Sequence, residues 1–443
     1  MSTNIQTVKN LFPFLESSDA LRLKKLTRSS LIYFCSRVRL LCLSCLFFSA
    51  VSAQEVVPTD SVDANVVDAG DVLRKLFHKK IDSTTKTKKP SGIAILPSVG
   101  YNPSFGFVLG AKAIIIKQFG LKQNTALSTF GLEASYSTKG VITAQVRHNI
   151  YLAANKWHLE GNWQLSKFLI TDYSVGTGNK SYLTNSDSAF PIRFTHLRFS
   201  EKVYRKVGKN LFAGAGLGFN VRQKIDDEKL DSLGSSPHYR YSLRNGFSAK
   251  KYSANAFLLA IQVNTRDHPI RSYRGFYADL TLALSQRWLG SSKNAIQFMY
   301  DIRKYVSLSQ RNPEHVLAFW HTASYKLDGL VPYLALPATG YDTYNRMGRG
   351  YTIGRFKGPS FSYFETEYRF PITRNKLLSG VAFVNLQTAS DDLEKKIFQY
   401  WEPAAGAGLR VLFQKQSRST ICIDYVKGKY GSGGIFFGLN EVF

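Results

Sequence analysis

Cysteine is scarce in this chain of 443 residues, and where it occurs matters as much as how little there is. Three of the four cysteines, Cys35, Cys42 and Cys45, lie in the N-terminal region, and only Cys422 follows. With one cysteine in the main part of the chain, an internal disulfide and a thiolate metal site are both excluded there. Long apolar runs are also missing. No stretch of 18 apolar residues occurs after the N-terminal region, which excludes an ordinary transmembrane helix.

Motifs for catalysis are absent as well. The eight histidines form no His-x-x-x-His pair, and the chain has neither a Gly-x-Ser-x-Gly turn nor a Gly-Lys-Ser/Thr phosphate loop. The glycines of residues 348–354 have the wrong spacing for a dinucleotide-binding loop. The sequence therefore predicts a protein that is not an enzyme and that uses no cofactor and no metal ion.

The chain does contain a recurring alternation of apolar and polar or small residues. In residues 211–222 the odd positions are Leu, Ala, Ala, Leu, Phe and Val, and the even positions are Phe, Gly, Gly, Gly, Asn and Arg. Similar alternation occurs in soluble sandwiches, but these need a second sheet over the apolar face and seldom line the other face with charges such as Lys112, Glu133 and Arg410. Segments of about ten residues with this alternation are typical of a transmembrane β-barrel.

The predicted fold class is therefore all-β, a transmembrane antiparallel β-barrel of about 16 strands. Links after even-numbered strands are short, whereas several links after odd-numbered strands, near 169–190, 224–250 and 327–360, are long. Short periplasmic turns and long external loops are typical of outer-membrane barrels, so we expect a periplasmic N-terminus. The predicted strands begin near Ile93, Phe105, Leu127, Val141, Trp157, Phe194, Leu211, Ser253, Gly275, Ala295, His315, Phe361, Leu378, Ala404, Thr420 and Gly434.

The N-terminal region has the features of an export signal. Two arginines, Arg37 and Arg39, precede an apolar stretch that ends in small residues before Gln54, which predicts a signal peptide over residues 1–53. A membrane anchor is the alternative, although the apolar part is short for spanning a bilayer. Residues 54–90 are predicted to be a short periplasmic segment and linker, and residues 91–443 the outer-membrane barrel.

Positive charge is in excess, with a formal net charge of +27. The basic residues are scattered rather than gathered on one element, which argues against nucleic acid as a partner. Outer-membrane lipids, including phosphate-bearing lipopolysaccharide, or an anionic lumen are the predicted partners of this charge. A charge surplus that is simply solvated is the alternative.

Four segments, in order along the chain, carry a family resemblance. Residues 260–269 read Ala-Ile-Gln-Val-Asn-Thr-Arg-Asp-His-Pro, residues 347–351 read Met-Gly-Arg-Gly-Tyr, residues 365–372 read Glu-Thr-Glu-Tyr-Arg-Phe-Pro-Ile, and residues 436–440 read Phe-Phe-Gly-Leu-Asn. Together they resemble the bacterial surface antigen family, the barrel domain of BamA/TamA-type outer-membrane proteins. The resemblance covers roughly residues 91–443, without the periplasmic polypeptide-transport-associated domains of that family.

The resemblance implies a long external loop folded into the lumen and anchored by the motif Arg349, Gly350 and Tyr351. An arginine at such a loop can form charge-assisted hydrogen bonds with carboxylates of the wall, and Glu365 and Glu367 are the candidate partners. In the family a Phe-x-Asp-x-Gly motif supplies the acid, whereas here Asn385 stands in place of the aspartate. A solvated Arg349 is the alternative.

The resemblance also implies a function. A barrel of this kind would assist insertion or translocation of proteins at the Gram-negative outer membrane, with client outer-membrane proteins and a periplasmic partner. The first and last strands would meet at a weak seam, for which the sequence marks Phe437, Leu439 and the C-terminal aromatic Phe443. A passive pore, or a structural subunit of an outer-membrane complex, is the alternative.

Overall fold

The computed structural model describes residues 66–76, 92–102, 106–121, 124–152, 154–178, 190–391, 397–415 and 417–443. The predicted signal peptide, most of the predicted linker and the predicted strand start at Phe105 lie outside these residues. The helices are α1 (Ala69–Leu76), α2 (Leu230–Leu233) and α3 (Pro237–Arg244), and none in the described part of the chain is long and apolar enough to cross a membrane.

Sixteen strands form one antiparallel sheet, as predicted. Their bounds are β1 Gly92–Asn102, β2 Gly106–Lys117, β3 Ser128–Ser137, β4 Ile142–Leu152, β5 Trp157–Asp172, β6 Phe190–Gly208, β7 Leu211–Asp227, β8 in two pieces (Lys251–Ser253 and Ala256–Asn264), β9 Gly275–Ser285, β10 Ala295–Ser307, β11 Val316–Gly329, β12 Ser360–Pro371, β13 Leu378–Ala389, β14 Glu402–Gln414, β15 Ser419–Gly428 and β16 Gly433–Leu439. Both pieces of β8 pair with β7.

Each strand pairs with the next along the chain, and β1 lies beside β16, so that the sheet closes into a barrel. In the described residues, a ladder of paired positions joins every consecutive pair of strands, but none joins β1 to β16. The junction between β1 and β16 is called the seam below.

The two faces of the wall follow the predicted alternation. On β5, Trp163 and Leu165 are exposed on the outside, whereas His158 and Gln164 are buried on the lumen side. Successive side chains of a strand point to opposite faces, so an apolar outer wall forces the polar residues inward. The lumen is consequently lined with charged and amide side chains that pair across it.

The two ends of the barrel differ. The four longest connections, residues 173–189, 228–250, 330–359 and 390–401, all follow odd-numbered strands and therefore share one end, called the long-loop end. At the opposite, short-turn end, α1 lies against two turns: the N–H of Val67 donates to the carbonyl of Asn375 (3.0 Å), and Lys415 contacts both Asp68 and Asp71. This contact fixes the described segment before the barrel to the turns β12–β13 and β14–β15.

Candidate functional site

The connection between β11 and β12, residues 330–359, folds into the lumen. Near its start is a short 3-10 helix, Tyr333–Ala335, and Leu334 in this helix and the flanking Val331 and Leu336 are almost completely buried. These side chains pack in one apolar cluster with wall residues such as Ile170 and with residues of the connection 228–250. The long-loop end of the barrel is thus closed by a packed core, and the loop is part of it.

Arg349 of this loop is buried in the lumen and is held by three carboxylates. Its Nη2 donates to Glu365 and to Oε2 of Glu367 (2.6 Å), and its Nη1 donates to Oδ2 of Asp424 (3.1 Å). The guanidinium also lies over the ring of Phe383, 3.3 Å from the centroid. The two glutamates that the sequence marked as partners are therefore both in contact with Arg349, and Asp424 is a third that it did not mark.

Local backbone geometry explains how the loop presents Arg349. Glu365 and Glu367 are alternate residues of β12, so both point into the lumen. Gly348 and Gly350, on either side of the arginine, have φ of +82° and +95°, a conformation that disfavours residues with a Cβ. A Cβ on Gly350 would also lie 2.9 Å from side-chain carbons of Ala404 and Val426, so this position accepts only glycine without rearrangement.

Tyr351 of the motif and the candidate wall partner Asn385 both contact main chain. The hydroxyl of Tyr351 donates to the carbonyl of Pro403 (2.5 Å) and accepts from the N–H of Lys429 (3.0 Å). Asn385 donates to the carbonyl of Arg349 (3.0 Å) rather than meeting its guanidinium. An amide in place of the family aspartate thus holds the loop through its backbone, and the carboxylates of β12 and β15 balance the charge.

Arg349 belongs to a larger buried network of alternating charge. Arg410 contacts Asp424 (2.5 Å) and Glu441 (2.8 Å), and Arg369 contacts Glu367 (2.7 Å). The network comprises Arg271, Arg349, Arg369, Arg410, Glu365, Glu367, Asp424 and Glu441. Sequence reasoning missed most of these residues. Alternation places Arg410 and Asp424 on the lumen side, but no local pattern shows which charges will meet.

The tip of the same loop contacts the end of the last strand on one side and β4 on the other. Arg346 donates to the carbonyls of Leu439, Asn440 and Glu441 at the end of β16, the last at 2.5 Å. Three residues earlier, the carbonyl of Thr343 accepts from the side chains of Gln145 (3.3 Å) and Arg147 (3.4 Å) on β4. This span of four residues therefore connects β4 to the end of the last strand. No sequence signal pointed to Arg346.

The three residues that the sequence assigned to the seam lie in different environments. Phe437 is exposed on the outer wall, and the carbonyl of Leu439 accepts from Arg346. Phe443 is buried and turns into the lumen, where its ring lies 5.3 Å from that of Trp320. The aromatic residue at position 443 therefore belongs to the core beside the loop anchor rather than to the seam wall.

These features define an outer-membrane barrel with a loop anchored in its lumen, and comparison with known proteins identifies the family. Residues 98–415 match the Omp85 superfamily domain. The fold is similar to that of BamA from Haemophilus ducreyi lacking POTRA domains 1–3, with 15% identity, 79% of this chain and 70% of that chain covered, and a TM-score of 0.52.

CdiB from Acinetobacter baumannii and CdiB from Escherichia coli are also similar, each with 10% identity and a TM-score of 0.48. The match covers 79% of this chain and 59% of the first, and 80% of this chain and 67% of the second. No curated protein sequence matches significantly. The chain belongs to the Omp85 superfamily, whose members insert or translocate proteins.

Proposed function

We propose that this barrel assists the insertion or translocation of other proteins at the outer membrane by opening between β1 and β16. The observation that carries the proposal is the break in hydrogen-bonded pairing at the seam: β1 has eleven paired positions with β2, and β16 has seven with β15, but no pairs join β1 to β16 in the described residues. Two unpaired strand edges in contact form the junction of the wall that separates at the lowest cost. An exposed edge is also a template on which a client strand can add.

The packed long-loop end of the lumen speaks against the alternative of a passive pore. A pore needs a continuous aqueous path, whereas residues such as Leu334, Leu336 and Phe356 are fully buried in the loop that closes the long-loop end. The ion-pair network of Arg349 fixes that loop to β12 and β15. Conduction would require this core to unpack, so the structure offers nothing that favours the pore.

Orientation and partners form part of the same proposal. We infer that the short-turn end and α1 face the periplasm, where α1 is available to a periplasmic partner, and that the long loops face outward. Exposed basic residues at the long-loop end, such as Lys224 and Lys250, suit phosphate groups of lipopolysaccharide. Client outer-membrane proteins would meet the barrel at the seam.

Depletion of the protein followed by quantitative proteomics of the outer membrane tests the function. Loss of several other barrels supports insertion, whereas unchanged barrels with reduced solute uptake support a pore. A disulfide lock tests the mechanism. One cysteine is placed in β1 between Ala94 and Pro97 and another in β16 between Phe437 and Leu439, with Cys422 replaced by serine.

The locked barrel should fold but lose assembly activity, and reduction should restore it. A matched control places cysteines at Ala382 and Ala407, which lie directly opposite each other across the paired junction β13–β14. This second lock should leave activity unchanged. Full activity of the oxidised seam lock would contradict opening at β1 and β16.

A further inference from the structure

A polar cluster lies on the outer, membrane-facing wall, away from the seam. Five residues oppose one another in a row across β3 to β7: Phe130, His148, Gly161, Glu201 and Leu217. The residues next to them on the outer face are apolar, as a wall in contact with lipid requires. His148 and Glu201 are the exceptions, and neither takes part in the lumenal network described above.

The cluster has defined geometry. The Nε2 atom of His148 lies 3.1 Å from Oε2 of Glu201, and the indole N–H of Trp163 donates to the same oxygen (3.0 Å). Gly161 makes room for this pairing, because a Cβ there would lie 2.1 Å from His148 Nε2 and 2.5 Å from Glu201 Oε2. The glycine lets histidine and glutamate reach each other across β5, so the wall is shaped around the pair.

The pair lies within the apolar band rather than at its border. Trp157 and Arg205, directly opposite each other, mark one border, and Lys167 marks the other. Glu201 is four residues from Arg205 along β6, which corresponds to roughly 10 Å of depth for a strand tilted by about 40°. At this depth acyl chains surround the wall, and a carboxylate facing them is unfavourable.

The polar groups of the cluster are incompletely satisfied. Both donors bind Oε2 of Glu201, and in the described residues no hydrogen bond is made to Oε1. The side chain of His148 is only 9% exposed, and its Nδ1 is buried without a hydrogen-bond partner. Nδ1 of His148 is out of reach from outside, but the side chain of Glu201 is 22% exposed, and because acyl chains have no donor, only a polar group of another molecule can donate to its Oε1.

Next to the cluster, the outer wall has an apolar depression of about 520 Å³. Its lining combines small side chains of β2 to β4, namely Ala113, Ala134 and Ala144, with larger apolar ones such as Leu132, Trp163 and Phe199. Small residues in a membrane-facing surface let another segment approach closely. Trp163 belongs to both features, so an occupant of the depression lies beside Glu201.

We propose that this face of β3 to β6 docks a membrane-embedded segment of a partner protein that brings a hydrogen-bond donor, such as a lysine, arginine or amide side chain, to Glu201. Charge complementarity argues for a donor. A second copy of this chain fits less well, because the donors nearest to Glu201 on this face, His148 and Trp163, are already bound to it.

Photocrosslinking in the native outer membrane tests the proposal. A photoreactive residue at Ala144, in the depression, should give one adduct heavier than the barrel, and the same residue at Leu259, on the outer wall of β8, should not. Glu201→Leu should reduce the adduct at least tenfold, whereas Lys167→Gln, which removes a charge at the border of the band, should leave it unchanged. Mass spectrometry should place the crosslink in a membrane-embedded segment containing a donor side chain.

Four results would overturn the proposal: adducts to lipid alone, an adduct of twice the barrel mass, an adduct that persists in Glu201→Leu, or a crosslinked segment without a donor. A purely structural role is tested on the isolated barrel in detergent. Glu201→Leu removes a carboxylate from the membrane-facing wall, which is favourable, but it also leaves His148 and Trp163 without their acceptor, which is unfavourable, so the unfolding temperature should change little. A fall large enough to unfold the barrel under the crosslinking conditions would explain a lost adduct without any partner and would be a fifth result against the proposal. These outcomes are independent of the seam, so they leave the proposed insertion function untouched.

Discussion

Replacing Arg349 by alanine should destabilise the barrel, and the structure shows which neighbouring carboxylate would be left without a cation. Glu367 would keep Arg369 at 2.7 Å, and Asp424 would keep Arg410 at 2.5 Å. Glu365 would keep only the hydroxyl of Tyr363. The substitution therefore leaves one carboxylate, that of Glu365, buried without a cation.

The expected loss in the free energy of unfolding follows from the burial of Arg349 and Glu365. The side chains of Arg349 and Glu365 are 5% and 0% exposed, so solvent screening is weak. Removing one member of a buried ion pair costs about 3–5 kcal/mol because the remaining charge is uncompensated. Loss of the cation–π contact with Phe383 adds to this by up to about 2 kcal/mol. Arg349→Lys should retain part of the stability, since lysine keeps the charge but not the planar fork.

Two assays measure the effect: the temperature at which the folded band converts to the unfolded band in gels, and limited proteolysis within residues 330–359. Double variants then isolate the cause. Glu365→Gln in the Arg349→Ala background should recover stability, because a neutral amide no longer needs a cation. Glu367→Gln in the same background should not, because it removes the carboxylate that Arg369 still pairs with.

Equal rescue by the two glutamine substitutions would refute the reasoning, since it would mean that the lumen solvates both carboxylates alike. So would an Arg349→Ala barrel with unchanged melting and an intact loop. In that case the family motif would be retained here without anchoring the loop.

Three further predictions concern the seam, the loop and α1. Arg346→Gln should loosen β16, because three carbonyls lose their donor, and should increase the labelling rate of a cysteine placed in that strand. Gly350→Ala should lower the yield of folded barrel, because both its φ of +95° and its close neighbours exclude a Cβ. Burial favours a higher pKa for Asp71, but hydrogen bonds from Lys415 and Arg74 outweigh it and lower the pKa to about 2. A lowered pKa means that the contact stabilises α1 above about pH 4 and is lost as the pH falls towards 2, which a spin label in α1 should report as increased mobility.

Each of these has a control. Arg311→Gln, in the turn between β10 and β11, changes a charge without touching the seam and should leave labelling unchanged. Gly431→Ala, also at positive φ but with open space around its Cβ position, should be milder than Gly350→Ala. Asp71→Asn should make the mobility of α1 independent of pH in this range, and a pH response that persists in this variant would assign the effect to another group.

The alternation of apolar and polar residues within each segment was enough to predict an antiparallel β-barrel. Alternation in segments such as 211–222 depends only on which face of the wall meets lipid, and each strand carries that information itself. The strand count and the position of the long loop followed from the spacing of turns. The resemblance then indicated Arg349 and its neighbours on β12, because Glu365 and Glu367 lie on a single strand whose inward positions can be read from the chain.

Tertiary structure decided which charges meet. Arg349 and Asp424, Arg410 and Glu441, and Arg346 and the end of β16 come together only because barrel closure and loop entry place distant segments side by side. No periodicity encodes those distances. The same holds for Asn385, which contacts backbone instead of a guanidinium, and for Phe443, which turns into the lumen.

On the outer wall, too, the sequence determines which face a residue lies on, and the tertiary structure determines which residues pair. Sequence alternation places His148 and Glu201 on the membrane-facing side, but only the register of β4, β5 and β6 shows that they pair across Gly161. The sequence of one strand shows which of its residues face the lumen, because its side chains alternate. It does not show which residues of the next strand lie opposite them, because the alignment of two strands is set by pairing along their whole length.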